Sequence, residues 1–489
     1  MKSELKRKTV NGLFWSLIEN IFGLGQQIFF GIILARLLAV EDYGLLAMVT
    51  FFILLGQVFV DSGLSHALIR KQTCDNTDYS TVFWTNIAIG CIFYIIIWFI
   101  SPYIALYYKK PELISLTRIA SISIIIASLS IIQQTIFTKE VNFKVLTAIS
   151  AISTFISGVV SVLMAYKGYG VWSLVWGSII NQTVRSILFL QHNKWVPKIL
   201  FSKSRFRELF SFGFNILIIS IISNFFKSIN NIILGKHYIS SPEILGYYNQ
   251  ADRFSTIPSS IITALTTKVT YPIMASVQDD NIRLKNICRK FTKTLMYVSF
   301  IVMFGLVAVA WPLFAILFQS KWLPAVKLFQ LLCITYSIFP ILLINMNIMK
   351  VKGRSDLFLR TEIIKYSGFV PIVILGMVYG LQVLMIGLVI FYWLSIFVSA
   401  MYTKKLINYT ILEQLQDFIP VFLICFLPTI CALVIGHFIH FGNIVLILVQ
   451  GFIYLVILIG LSILFKLPSF FEILDIFILK LRFFLNKKM

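Results

Sequence analysis

The sequence is short of charge, and shortest of acid. Only 13% of its 489 residues are charged, and 20 Asp and Glu stand against 42 Lys and Arg. A soluble domain carries roughly 25% charged residues, so a water-exposed globular surface is excluded. No polar stretch is long enough for a separate soluble domain. Cysteines are few and scattered, at Cys74, Cys91, Cys288, Cys333, Cys425 and Cys431, with neither metal-ligand spacing nor a disulfide framework. His66, His192, His237, His437 and His440 lie at span ends and in loops. With no acidic dyad and no nucleophile beside a base, the sequence argues against an enzyme.

What is present instead is hydrocarbon. The chain is 58% hydrophobic with a mean hydropathy of +0.89. Windows of about 20 apolar residues, the length that crosses a bilayer, recur along it. Fourteen spans are predicted, near 11–35, 44–69, 81–108, 113–137, 147–166, 170–192, 209–235, 253–277, 293–318, 325–349, 358–379, 382–403, 417–436 and 443–465. The fold class is therefore an all-α polytopic membrane protein. The first run, after "KSELKRK", is too long for a signal peptide and lacks its cleavage pattern, so it reads as a span.

The net charge of +22 is a matter of topology. With the N-terminus inside, 29 of the 42 Lys and Arg fall on the inner side, eight on the outer side, and five within spans. That asymmetry is the positive-inside rule and predicts both termini in the cytoplasm. Contact with anionic lipid accounts for part of the basic charge, and nucleic acid is not needed to explain it.

One polar hinge occurs twice. "ILARLLAVEDYGLLAM" (Ile33–Met48) joins spans one and two, and "ILGKHYISSPEILGYYN" (Ile233–Asn249) joins spans seven and eight. Six spans separate the copies, so both enter the membrane in the same direction. This predicts two six-helix bundles related by a pseudo-two-fold axis along the membrane normal, with the substrate path between them. The expected organisation is an N-terminal lobe over 1–195, a cytoplasmic linker over 196–208 and a C-terminal lobe over 209–403. Two extra helices follow over 404–466. The segment 467–489 reads as an amphipathic tail on the inner leaflet, with Glu472, Asp475, Arg482 and Asn486 near one face. The hinges are expected to meet, with Asp42 opposite Glu243.

Polar residues inside the spans favour the repeat-related helices. Glu19 and Asp61 lie in the first pair; Asn224, Lys227, Asn231, Asp252 and the threonines up to Thr267 lie in the second. Ser, Thr and small residues serve helix packing equally well. Ionised groups at depth are costly, by about 3 kcal/mol on insertion scales, and usually face water. The basic residues in spans are Arg118, Arg185, Lys227, Lys268 and Lys365, against Glu19, Asp61 and Glu362. That surplus predicts a cationic cavity suited to an anionic cargo, although Lys365 near a span end also fits snorkelling. Lys227, Lys268, Arg118, Arg185, Asn224 and Asn231 are the candidate cargo contacts. Glu19, Asp61 and Asp252 are the candidate ion-coupling or gating acids, with ion pairing as the alternative for Glu19 and Asp61.

The stretch "INNIILGKHYISSPEILGYYNQADRFSTIPSSI", together with "VTYPIMASVQDD", "KWLPAVKLFQLL", "MKVKGRSDLFLR", "ARLLAVEDYGLLAM" and "DYSTVFWTN", resembles the Wzx-type lipid-linked oligosaccharide flippases. These are bacterial polysaccharide transporters of the multidrug/oligosaccharidyl-lipid/polysaccharide (MOP) exporter superfamily. The resemblance implies a V-shaped pair of bundles in the bacterial inner membrane, working by alternating access. It implies an undecaprenyl-diphosphate-linked oligosaccharide as cargo, no cofactor, and coupling to a proton or sodium gradient. Contact with a partner polymerase stays open, as do two rivals of the same fold: a drug–ion antiporter and a peptidoglycan-precursor flippase.

Overall fold

A computed structural model describes residues 22–475 apart from positions 62, 72, 141, 194, 239–240 and 439–441. Each regular element among them is helical. Hydrocarbon demands this, because a crossing backbone finds no water to bond and must satisfy its own N–H and C=O groups. The chain forms two compact units, Met1–Asn249 and Gln250–Met489.

In the first unit, α1 covers Phe22–Leu37. It is followed by α2 (Val40–Asp61), α3 (Leu64–Arg70), α4 (Asn76–Tyr107), α5 (Leu113–Ala120), α6 (Ile122–Ser128), α7 (Ile131–Lys139), α8 (Phe143–Tyr166), α9 (Val171–His192) and α10 (Lys203–His237). The breaks have local causes. Gly63 adopts a φ of 67° between α2 and α3, and a Cβ there would come within 2.3 Å of the Gly213 carbonyl oxygen on α10. Only glycine suits that conformation and that approach. The helix start at α4 is set by Asp75, which accepts from the Asp78 amide at 2.8 Å while Asp78 accepts from the Asp75 amide at 3.2 Å, a reciprocal capping box. That bond to the Asp78 amide holds the exposed Asp75 carboxyl below the usual carboxylate range. The linker runs back along α4: Lys198 and Ser202 donate amides to Ser80 and Thr81, and Trp84 donates its indole N–H to the Lys198 carbonyl at 2.8 Å.

Helix α11 (Pro242–Leu265) passes from the first unit into the second. After it come a π turn (Thr266–Thr270), α12 (Tyr271–Ala275), α13 (Asn281–Ala308), α14 (Ala310–Phe318), α15 (Ala325–Tyr336), α16 (Phe339–Val351), α17 (Ser355–Tyr379), α18 (Leu381–Ile407), α19 (Ile411–Phe438) and α20 (Asn443–Leu464). The second core centres on Phe300 and Phe304 of α13, packed against Trp393, Phe418 and Phe422. At one end of this core α13 is bound to α19 by charge. Arg289 meets Asp417 through two bonds of 2.8 and 2.9 Å, and Lys293 and the Tyr409 hydroxyl add contacts of 3.3 and 2.9 Å. The same helix takes up the start of the tail, a helix over 468–475 whose Glu472 pairs with Lys290 at 3.1 Å. The tail residues Arg482 and Asn486 lie outside the described residues.

Among the described residues, nine helices are long and apolar enough to cross a membrane, or up to eleven if two bent pairs each count as one span. The protein is thus an all-helical, multi-pass membrane protein. The shortfall against fourteen has physical reasons. The first run is described only from residue 22, and α9 and α11 carry polar faces that lower their hydropathy. One of the bent pairs breaks between Ser128 and Ile131 with a 42° turn.

The Asp417 carboxylate is buried beneath three partners, so removing it strands Arg289 and Lys293. Because Arg289 and Lys293 are about a third exposed and Arg289 keeps Glu413 within 4.0 Å, Asp417→Ala is expected to destabilise the second unit by about 1–3 kcal/mol, and Asp417→Asn by less, read as the melting temperature in detergent. Equal stability of wild type and Asp417→Ala would remove this staple from the account.

Candidate functional site: a hinge clasp and a polar cavity

The two hinges do meet, and in a symmetric way. Val40 and Pro242 begin α2 and α11, and a glycine follows each by four residues. A Cβ on Gly44 would sit 2.1 Å from the Pro242 carbonyl oxygen, and one on Gly246 would sit 2.2 Å from the Val40 carbonyl oxygen. Each helix start thus lies over the other's glycine, an approach that small residues alone permit. Beside this crossing the Glu243 carboxyl hydrogen-bonds that of Glu41, and the shared proton holds Glu243 above its usual 4.5.

The residues facing each other differ from the expected pair. Asp42 turns away from Glu243: it accepts from the Ala39 amide at 3.0 Å and from the backbone of Val171 at the start of α9. The acid that meets Glu243 is Glu41, one position earlier. On a helix start, successive residues point about 100° apart, so the spacing left both acids open. Close by, Asn231 of α10 and Asn249 of α11 exchange amide hydrogen bonds of 3.1 Å in both directions. Lys236 reaches across to the Tyr107 carbonyl at 2.8 Å.

A second feature of the first unit is a polar cavity of about 300 Å³, lined by Asp61, Ser65, His66, Gln134, Thr135 and Thr138 with Ile69 and Ile131. It forms where two helices are interrupted, at the α2–α3 break and beside the start of α7. Asp61 Oδ1 is buried without a hydrogen bond among the described residues. Arg185 of α9 joins this group indirectly: its guanidinium donates to Gln134 Oε1 at 3.1 Å and lies over the Phe189 ring. Asp61 and Gln134 thus line the same cavity, and Arg185 is tied to it through Gln134. His66, read from the sequence only as a span-end residue, and Gln134 line this cavity because the helix breaks bring their segments together.

The remaining predicted residues are dispersed. Arg118 bonds Ser101 Oγ at 2.9 Å and stacks on Trp98, its guanidinium carbon 4.1 Å from the ring centre; it does not line the cavity. Asn224 donates to the Ser220 carbonyl of its own helix at 2.8 Å. Lys227 continues α10 and Lys268 falls in the π turn, but the side chains of both lie outside the described residues, as does all of Glu19. In the second unit Asp252 accepts a hydrogen bond from the Tyr336 hydroxyl. Tyr392, Tyr366 and Glu362 stand in the same electrostatic neighbourhood. Lys365 pairs with Glu362 at 2.8 Å.

The π turn itself has a cause. Pro272 lacks an N–H, so the carbonyl four residues earlier, that of Lys268, has no α-helical donor. The chain widens there, and Asn347 of α16 donates to Thr270 Oγ1 at 3.2 Å within a buried setting. Single π turns inside α-helices are frequent at functional sites. Among the described residues no three His, Cys, Asp or Glu side chains converge as metal ligands.

The clasp generates a prediction with a definite sign. Because the folded-state value of Glu243 is raised, its contribution is full below 4.5 and is lost as pH rises through the raised value. Exchange of amides over 241–249, corrected for intrinsic rate, is expected to speed up with rising pH in wild type and to be level in E41Q/E243Q. A cysteine pair at positions 41 and 243 is expected to crosslink more readily than one at 42 and 243; the reverse order would contradict the clasp.

Comparison with known proteins places this geometry. Residues 33–327 match the family model described as polysaccharide biosynthesis protein. The chain is 27% identical over 355 residues to the teichuronic acid biosynthesis protein TuaB of Bacillus subtilis, covering 72% of this chain and 73% of that one. It is 22% identical over 374 residues to the lipopolysaccharide biosynthesis protein WzxC of Escherichia coli, covering 76% of each. The succinoglycan biosynthesis transport protein ExoT of Rhizobium meliloti is 26% identical over 339 residues, 69% of this chain and 68% of that one. Among solved structures, the fold is similar to the lipid II flippase MurJ in an inward closed conformation. The TM-score is 0.72 at 16% identity, over 94% of this chain and 99% of that one. An inward-facing multidrug MATE transporter of the MOP superfamily gives 0.63 at 14% identity, over 80% and 98%. The chain belongs to the polysaccharide biosynthesis protein family.

Proposed function

We propose that this protein moves an undecaprenyl-diphosphate-linked oligosaccharide from the cytoplasmic to the periplasmic leaflet, by alternating access, for assembly of a surface polysaccharide. The observation that carries this reading is the family match over residues 33–327, joined to relatives named for polysaccharide biosynthesis and transport. In this reading the chain spans the membrane fourteen times. Its lobes cover 1–195 and 209–403, the linker and both termini are cytoplasmic, and residues 404–489 are an appendix. A polymerase acting on the flipped product is a natural partner.

The chemistry divides between the features above. Intramembrane bases suit a diphosphate, since a fixed cation attracts it more strongly in a low dielectric; Lys227, Lys268 and Arg185 are assigned that task. Asp61 is assigned to ion coupling. Its buried oxygen sits at a helix break in a polar cavity, and interrupted helices are where transporters bind coupling ions. Burial disfavours a carboxylate's charged form, so uptake of a proton or sodium ion there changes the balance between states. Asp252, tied to Tyr336, is assigned to gating. The excess of bases over acids within spans argues against the drug-exporter reading, because a cationic drug calls for acids.

In cells depleted of their own transporter, K227A/K268A and Asp61→Asn are each expected to lower surface polysaccharide at least tenfold. Lipid-linked precursor should accumulate with the protein still in the membrane. Normal polysaccharide in K227A/K268A would overturn the cargo assignment, and normal output in Asp61→Asn would overturn the coupling assignment.

A further inference from the structure

The second unit holds a feature that the transport reading does not use. A cleft of about 630 Å³ opens at the end of α13, α18 and α19, where the α18–α19 connection packs beside the first turns of α13. Four cations line it, Lys285, Arg289, Lys404 and Lys405, with Glu413 as the acid. These cations are not equivalent. Lys285 is committed to Glu413 at 2.7 Å and to the Asn408 carbonyl at 2.7 Å, and Arg289 is committed to Asp417. Lys404 and Lys405 are exposed and have no side-chain hydrogen bond or ion pair among the described residues. They close the last turn of α18, where cations favour the helix dipole, an arrangement that leaves all their N–H groups available.

From this we infer that the cleft is a binding site for a phosphate group, carried by an anionic phospholipid of the surrounding leaflet. The committed pair, Lys285 and Arg289, is fixed in place by Glu413 and Asp417 and forms a rigid floor. Lys404 and Lys405 supply the uncompensated charge. The N-terminus of α13 contributes only the Asn281 side of the wall, because its Arg283 amide is taken by the capping Asp280 carboxylate at 2.9 Å. A lipid is favoured over a soluble phosphate by the rim. Ile282 lines the cleft at 77% exposed, and Leu412, beside Glu413, is 68% exposed. Both make sense facing acyl chains. Basic pockets between helix ends on the cytoplasmic side recognise lipid head groups in this way, and the sequence assigns residues 278–292 and 404–416 to that side.

The test uses the full-length protein in detergent, with phosphatidylglycerol or phosphatidylcholine added and binding read by native mass spectrometry. No cargo is needed, so the result is independent of transport. Wild type is expected to retain phosphatidylglycerol saturably and phosphatidylcholine poorly. K404Q/K405Q is expected to lose roughly thirtyfold in that retention, which is about 1 kcal/mol for each basic residue near a lipid surface. K404R/K405R is expected to keep it, and each single Gln variant to lose part. Inorganic phosphate that displaces the lipid at low millimolar concentration would reassign the site to a soluble phosphate. Equal retention of the two lipids, or no loss in K404Q/K405Q, would overturn the proposal.

Discussion

A charge in hydrocarbon must be paired, moved to the interface or given water, and this constraint organises the whole chain. Pairing accounts for Asp417 beneath Arg289 and Lys293, and for Glu362 with Lys365. Movement to the ends accounts for the basic connections and for Lys236 against the Tyr107 carbonyl. Among the described residues, groups met by neither solution include Asp61, whose Oδ1 has no hydrogen bond, Asp252, held by one tyrosine, and Arg118 and Arg185, which bond neutral partners and lie over aromatic rings. Groups that satisfy neither solution are the ones a transporter keeps for its work.

The second constraint is backbone approach. The hinge repeat places glycine four residues after each helix start, and the two starts cross over those glycines. A methyl group at either position would meet a carbonyl oxygen closer than 2.3 Å. The clasp therefore depends on what the sequence omits there. The Glu41–Glu243 pair adds a titratable latch to that steric one. Breaks elsewhere serve a similar purpose, since the α2–α3 interruption at Gly63 and the 42° bend before α7 both open onto the Asp61 cavity.

Much of this was legible in the sequence. Hydropathy marked the helices, and the echoed hinges marked two segments that do come together. Alternation of spans puts neighbouring connections at the same ends, and Asp42 with Val171 and Lys285 with Asn408 are in contact there. Three things were not legible. Which acid of Glu41 and Asp42 faces Glu243 depends on rotation about a helix axis, which a spacing pattern leaves undetermined near a terminus. The tie of Arg185 to the Asp61 cavity runs through Gln134, on a helix segment redirected by a bend that has no proline to announce it. Asp417 was overlooked because the residues that bury it, Arg289, Lys293 and Tyr409, are distant in sequence or lie across a turn.

The measurement that tests the central claim most directly is transfer of an undecaprenyl-diphosphate oligosaccharide across liposomes containing the purified protein, with and without a proton or sodium gradient. The account predicts transfer that accelerates with one of the two gradients and loses that acceleration in Asp61→Asn. Folded protein that transfers none of several such lipids under either gradient would contradict it.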